Sequence, residues 1–91
     1  ISVPTEFSLS QNYPNPFNPA TTIRYALPEK VEVKLEVFNV AGKLVKTLVN
    51  EQQAPGFYEI SFQSKSLATG LYFYRIQAGD FVAKKRMLLI K

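Results

Sequence analysis

Along this chain, apolar and polar residues alternate in short runs, and Pro, Gly and Asn break the runs. Alternation with a period of two places successive side chains on opposite faces of an extended backbone, so each run predicts a β-strand. Seven strands are expected, near residues 7–12, 21–27, 31–38, 43–49, 57–63, 71–78 and 81–90. The run at 31–38 is the clearest: Val31, Val33, Leu35 and Val37 share one face, and Glu32, Lys34 and Glu36 share the other. That face pair is one core side and one water side. No segment keeps a 3.6-residue period, so no significant helix is expected. No internal repeat or low-complexity tract occurs.

The breaks have turn chemistry of their own. Asn39 accepts a bond from the backbone two residues on, and Gly42 tolerates positive φ; Asn39-Val40-Ala41-Gly42 therefore predicts a type I turn with a glycine bulge, closing 31–38 onto 43–49. Gly79-Asp80 predicts a two-residue loop pairing 71–78 with the last strand. Ala54-Pro55-Gly56 is a third turn, and residues 26–30 link the second and third strands. Seven short strands with a turn signal about every ten residues point to an all-β, immunoglobulin-like antiparallel sandwich. Leu67–Tyr72 fits the corner that enters the sixth strand of such folds, with Tyr72 a candidate tyrosine corner and Tyr72, Tyr74 and Ile76 facing the core.

Two segments stand apart. In Asn12-Tyr13-Pro14-Asn15-Pro16-Phe17-Asn18-Pro19, three prolines fix φ and remove three donors, and each preceding residue is pushed toward extended geometry. A stiff extended loop is expected there, with Tyr13 and Phe17 as anchors against the sandwich. It serves as a crossover between sheets or as a surface read by a partner. The last strand carries Lys84, Lys85 and Arg86 among apolar residues. It is an edge strand whose charges block edge-to-edge pairing, or a terminus on which another protein docks; both readings are compatible. Its register is open, because both the even and the odd positions from 82 to 90 contain apolar residues.

Composition narrows the chemistry. The chain has 91 residues, 46% of them hydrophobic, enough for one domain with its own core. There is no cysteine, so no disulfide is needed, and no histidine, which removes the commonest general base and metal ligand. Asp80 is the only aspartate and sits at a hairpin tip; Glu32 and Glu36 belong to a solvated sheet face. The four glycines are isolated, so no phosphate loop is present. No enzyme, cofactor or metal site is therefore expected. The net charge of +4 lies in the tail: residues 81–91 hold Lys84, Lys85, Arg86 and Lys91 with no acid. Four charges on one strand make a weak nucleic-acid signal, and no nucleic-acid partner is expected. No segment is long and apolar enough to span a membrane. Sugar binding is a minor alternative: Trp is absent, and Phe73, on the face opposite Tyr72 and Tyr74, is a lone exposed ring. The start at Ile1 and the lack of a signal pattern lead us to expect a piece of a longer protein.

Several motifs together resemble a known family. Leu9-Ser10-Gln11-Asn12-Tyr13-Pro14-Asn15-Pro16-Phe17-Asn18-Pro19-Ala20-Thr21-Thr22-Ile23 resembles the opening of the type A C-terminal sorting domains of the bacterial type IX secretion system. Val37-Phe38-Asn39-Val40-Ala41-Gly42-Lys43-Leu44-Val45 is similar to that family's strand-turn-strand step. Gly70-Leu71-Tyr72-Phe73-Tyr74-Arg75-Ile76 is similar to its sixth strand, and Lys84–Lys91 to its basic-apolar-Lys ending. The resemblance runs from about Phe7 to Lys91, with residues 1–6 as the end of a linker from a preceding cargo domain and 7–91 as the sorting domain. It implies an immunoglobulin-like sandwich of seven strands at the extreme C-terminus of a secreted cargo. It also implies recognition by outer-membrane type IX translocon components, export of the attached N-terminal cargo through the periplasm to the cell surface or extracellular space, and removal by a surface sortase near or upstream of Ile1–Glu6. Attachment of cargo to an anionic lipopolysaccharide is one implied outcome. The residues the resemblance ties to recognition are Gly70, Tyr72, Lys84, Lys85, Met87, Leu89 and Lys91. An accessory spacer module of a larger secreted enzyme is the alternative role.

Overall fold

The computed structural model describes residues 3–64 and 66–90. Seven strands follow in chain order: β1 (Ser8–Leu9), β2 (Ala20–Leu27), β3 (Val31–Asn39), β4 (Leu44–Gln53), β5 (Gly56–Gln63), β6 (Gly70–Ala78) and β7 (Phe81–Leu89). They form two antiparallel sheets, ordered β1-β2-β5 and β4-β3-β6-β7. The described residues contain no helix. This is the immunoglobulin-like sandwich that the alternation predicts.

The alternating apolar positions meet between the sheets. Ile23, Tyr25 and Leu27 of β2 and Phe62 of β5 face Val33, Leu35 and Val37 of β3, Tyr74 and Ile76 of β6, and Met87 and Leu89 of β7. Tyr72 closes one end, where its hydroxyl donates to the Ala68 carbonyl at 2.8 Å. The tyrosine corner and the inward set Tyr72, Tyr74 and Ile76 are as expected.

Both hairpin turns form as predicted. Asn39 Oδ1 accepts the N–H groups of Ala41 and Lys43, each at 3.0 Å, and Gly42 takes φ 84°. Gly79 takes φ 60° as the first residue of the loop between Ala78 and Phe81, a glycine-first two-residue loop of type II′ pattern. Two strands differ from expectation in extent. β1 is regular only at Ser8–Leu9, because the register against β2 slips: Leu9 faces Tyr25, but Tyr13 faces Thr22, one residue out of step. β4 runs on to Gln53, since Asn50–Gln53 pair with Val31–Lys34. That polar run has no alternation to betray it.

Candidate interaction surface

β7 is the edge of the four-stranded sheet, and its register settles which side chains face outward. The loop Gly79-Asp80 fixes Ala78 opposite Phe81, which carries Tyr74 to Lys85, Tyr72 to Met87 and Gly70 to Leu89. Paired residues share a face, so Met87 and Leu89 join Tyr72 and Tyr74 in the core. The opposite set, Val82, Lys84, Arg86, Leu88 and Ile90, is exposed. This register was derivable from the sequence: a two-residue loop plus an inward Tyr72 and Tyr74 leaves only one parity for Met87.

The proline segment guards the edge of this strand. Gln11 Nε2 donates to the Arg86 carbonyl at 2.6 Å, and the Leu88 N–H donates to Asn15 Oδ1 at 3.0 Å. The Phe17 N–H donates to the Leu88 carbonyl at 2.9 Å, and the Ile90 N–H donates to the Phe17 carbonyl at 3.1 Å. Every edge-facing backbone group from the Arg86 carbonyl to the Ile90 N–H is thereby satisfied, which removes the template for uncontrolled pairing. Phe17 is 1% exposed and sets its ring edge-on to Phe62, 6.1 Å between centroids. The loop is pinned from inside by Asn12, whose Nδ2 donates to Thr21 Oγ1 at 3.0 Å and to the Pro14 carbonyl at 3.1 Å. Thr21 Oγ1 donates to the same carbonyl at 2.8 Å. The peptide bonds before Pro14, Pro16 and Pro19 are cis.

One expectation about this loop is corrected. Tyr13 is not an anchor; it is 74% exposed. Tyr13 and Thr22 exchange two backbone bonds, at 2.9 and 3.0 Å, and the period of two then sends Asn12 inward and Tyr13 outward. The loop is also no simple extended crossover. It leaves β2's flank at Tyr13, touches β7 at Phe17 and returns to β2 at Ala20.

On the outer face of β6 and β7, the outward positions carry Arg75, Lys84 and Arg86 and no acid. Lys84 lies opposite Arg75, and Arg86 opposite Phe73. The nearest carboxylate, Glu36 on β3, pairs with Arg75 at 3.3 Å. Lys84 Nζ sits 5.4 Å from the centre of the Phe73 ring, and the Arg75 guanidinium 5.5 Å from that of Phe38. Such contacts hold the cations over the rings at roughly 0.5–1 kcal/mol each where exposed. Beside them a cleft is floored by Phe38 and Phe73 and walled by Val40, Ala41 and Gly42 of the β3–β4 turn.

The residues expected to take part in recognition divide by this geometry. Lys84 is exposed, and Lys85 and Gly70 are half-buried. Tyr72, Met87 and Leu89 are buried in the core at 7%, 1% and 0% exposure. Lys91 lies outside the described residues. Val82, Arg86 and Leu88 share the outward row with Lys84, and the two-residue loop with inward Tyr72 and Tyr74 is the sequence signal that places them there. Among the described residues, no three His, Cys, Asp or Glu side chains gather in a group able to hold a metal, and no helix is long and apolar enough to cross a membrane.

The fold and this strand define an all-β, immunoglobulin-like sandwich with a guarded, cationic edge strand. The chain belongs, more specifically, to the secretion system C-terminal sorting domains, the type IX sorting signals, whose family model matches residues 11–91. Domains of this kind are typically non-catalytic, act with the type IX machinery and imply export through it. No curated protein and no solved structure matches the chain.

Proposed function

We propose that this domain directs a cargo fused to its N-terminal side across the outer membrane through the type IX translocon, and that a surface sortase then removes it. In this reading residues 1–6 are the end of a linker and 7–91 the sorting domain, and the cargo reaches the cell surface or the extracellular space. The observation that carries the reading is the division of labour along β7. Met87 and Leu89 lock the strand into the core, and Val82, Lys84, Arg86 and Leu88 present a fixed cationic-apolar row outward. Tyr72, Met87, Leu89 and Gly70 act by shaping that strand; Lys84, Lys85 and Lys91 act by direct contact. A sugar-binding role is disfavoured, since the chain holds no Trp to serve as a stacking platform.

Truncating the last residues is a poor test, because it strips Met87 and Leu89 from the core and unfolds the domain. The informative variant is Lys84→Glu/Arg86→Glu, which reverses two exposed charges. A periplasmic reporter fused ahead of residues 1–91 should reach the surface of a host with type IX machinery. The folded double variant should leave the reporter in the periplasm. Normal surface display of that variant would refute the role given to β7.

A further inference from the structure

The outer face of the β6–β7 sheet and the cleft beside it have a chemistry that goes beyond a basic strand. The cleft combines two half-buried phenyl rings, Phe38 and Phe73, with a wall at Val40, which is 71% exposed. Its far rim is Arg75 and Lys84, and Arg86 lies next to Phe73 on β7. Arg75 is partly neutralised by Glu36, but Lys84 and Arg86 have no carboxylate partner among the described residues. An apolar floor bounded on one side by unpaired cations calls for a ligand with an apolar group and carboxylates beside it. A second copy of this chain fits badly, because its matching strand brings Lys84, Lys85 and Arg86 against their like. A purely anionic polymer satisfies the cations but leaves the phenyl floor and Val40 uncovered.

We propose that this cleft binds an acidic segment of a partner protein that places one large apolar side chain on the Phe38–Phe73 floor, against Val40, with flanking carboxylates on Lys84 and Arg86. This rests on the reading of β7 as the recognised strand and names the chemistry of what reads it. Charge complementarity orients and accelerates the encounter, and the apolar side chain holds the complex.

The test uses the isotope-labelled chain and three capped peptides of the same length. The first is Gly-Ser-Glu-Glu-Phe-Glu-Glu-Gly-Ser, the second replaces its Phe with Ala, and the third replaces each Glu with Lys. A heparin oligosaccharide serves as a purely anionic control. The acidic Phe peptide should bind saturably, with amide shifts centred on Phe38, Val40, Phe73, Lys84 and Arg86. Replacing the peptide's Phe with Ala should weaken binding about tenfold or more. So should Lys84→Glu/Arg86→Glu in the protein and, independently, Val40→Asp in the exposed turn. The proposal is overturned if nothing binds saturably, if the Lys or Ala peptide binds as tightly, or if heparin gives the same shifts with equal affinity. If the double variant blocks reporter export while the wild-type cleft takes no acidic peptide, this proposal fails and the sorting function stands. If the peptide binds as expected but the folded variant is exported normally, the role of β7 in export fails instead.

Discussion

At the scale of single residues, the two turn glycines are not equivalent. Gly42 has φ 84° with open space where a side chain would grow. Gly79 has φ 60°, and a Cβ there would lie 2.9 Å from Val31 Cγ2. Gly42→Ala bears only the left-handed backbone cost, about 1 kcal/mol. Gly79→Ala adds a close contact with a branched side chain and should cost about 2–3 kcal/mol. Urea unfolding midpoints would rank the two, and a smaller loss at Gly79 would show that Val31 yields freely. Asn39 and Asn12 carry the polar side of the same logic. Each satisfies backbone or side-chain groups that a hairpin or a buried loop otherwise leaves unmade.

Among the elements, β7 and the proline loop behave as one unit. The loop supplies the hydrogen bonds a neighbouring strand would supply, but with side chains and a single residue's backbone, so the sheet ends there. Asn15→Ala removes the partner of the Leu88 N–H and should cost about 1 kcal/mol. Its sharper signature is local. Hydrogen exchange at Leu88 should accelerate, while the amides of Lys85 and Met87, which face β6, keep their protection. Equal acceleration at all three would mean that the loop supports the whole strand rather than its edge.

For the whole molecule, two tyrosine hydroxyls tie the sheets together. Tyr25 of the three-stranded sheet donates to Gln53 Oε1 on β4 at 2.6 Å, and Tyr74 of the four-stranded sheet donates to the Ser10 carbonyl, just beyond β1, at 2.6 Å. Burial pushes both phenols up from 10.0 to about 12, partly offset by the Gln53 bond at Tyr25 and by the Asn12 backbone at Tyr74. The native state thus favours the neutral phenol more than the unfolded chain does. The stability this confers is fully present below pH 10 and is lost as pH rises from 10 through 12. Circular dichroism should therefore show alkaline unfolding in that window, accompanied by the rise in tyrosinate absorbance. Tyr74→Phe should shallow the pH dependence while lowering stability at neutral pH by about 1 kcal/mol. An unchanged alkaline slope would remove Tyr74 from the linkage.

Much of this was legible in the order of residues, because strands and tight turns are set by local forces. Alternation at Val31–Val37 needs only the pleat, and the turns at Asn39–Gly42 and Gly79-Asp80 need only positive φ and a side-chain acceptor. The motifs at Leu9–Ile23, Val37–Val45, Gly70–Ile76 and Lys84–Lys91, in that order and spacing, also point to the sorting-domain family. What remained for tertiary structure depends on distant partners. Tyr13 and Phe17 look alike as aromatic neighbours of proline, and only the pairing of Tyr13 with Thr22 and of Phe17 with β7 sends one to water and the other to the core. Asn50–Gln53 extend a strand because Val31–Lys34 lie beside them, not because of their own pattern. The cationic cleft draws Phe38 and Val40 from one hairpin and Phe73, Arg75 and Lys84 from another. The sequence by itself determined the strands, their turns and the charge of the exit strand. What lies beside that charge, the rings of Phe38 and Phe73 and the turn at Val40, was decided by packing across the sheet.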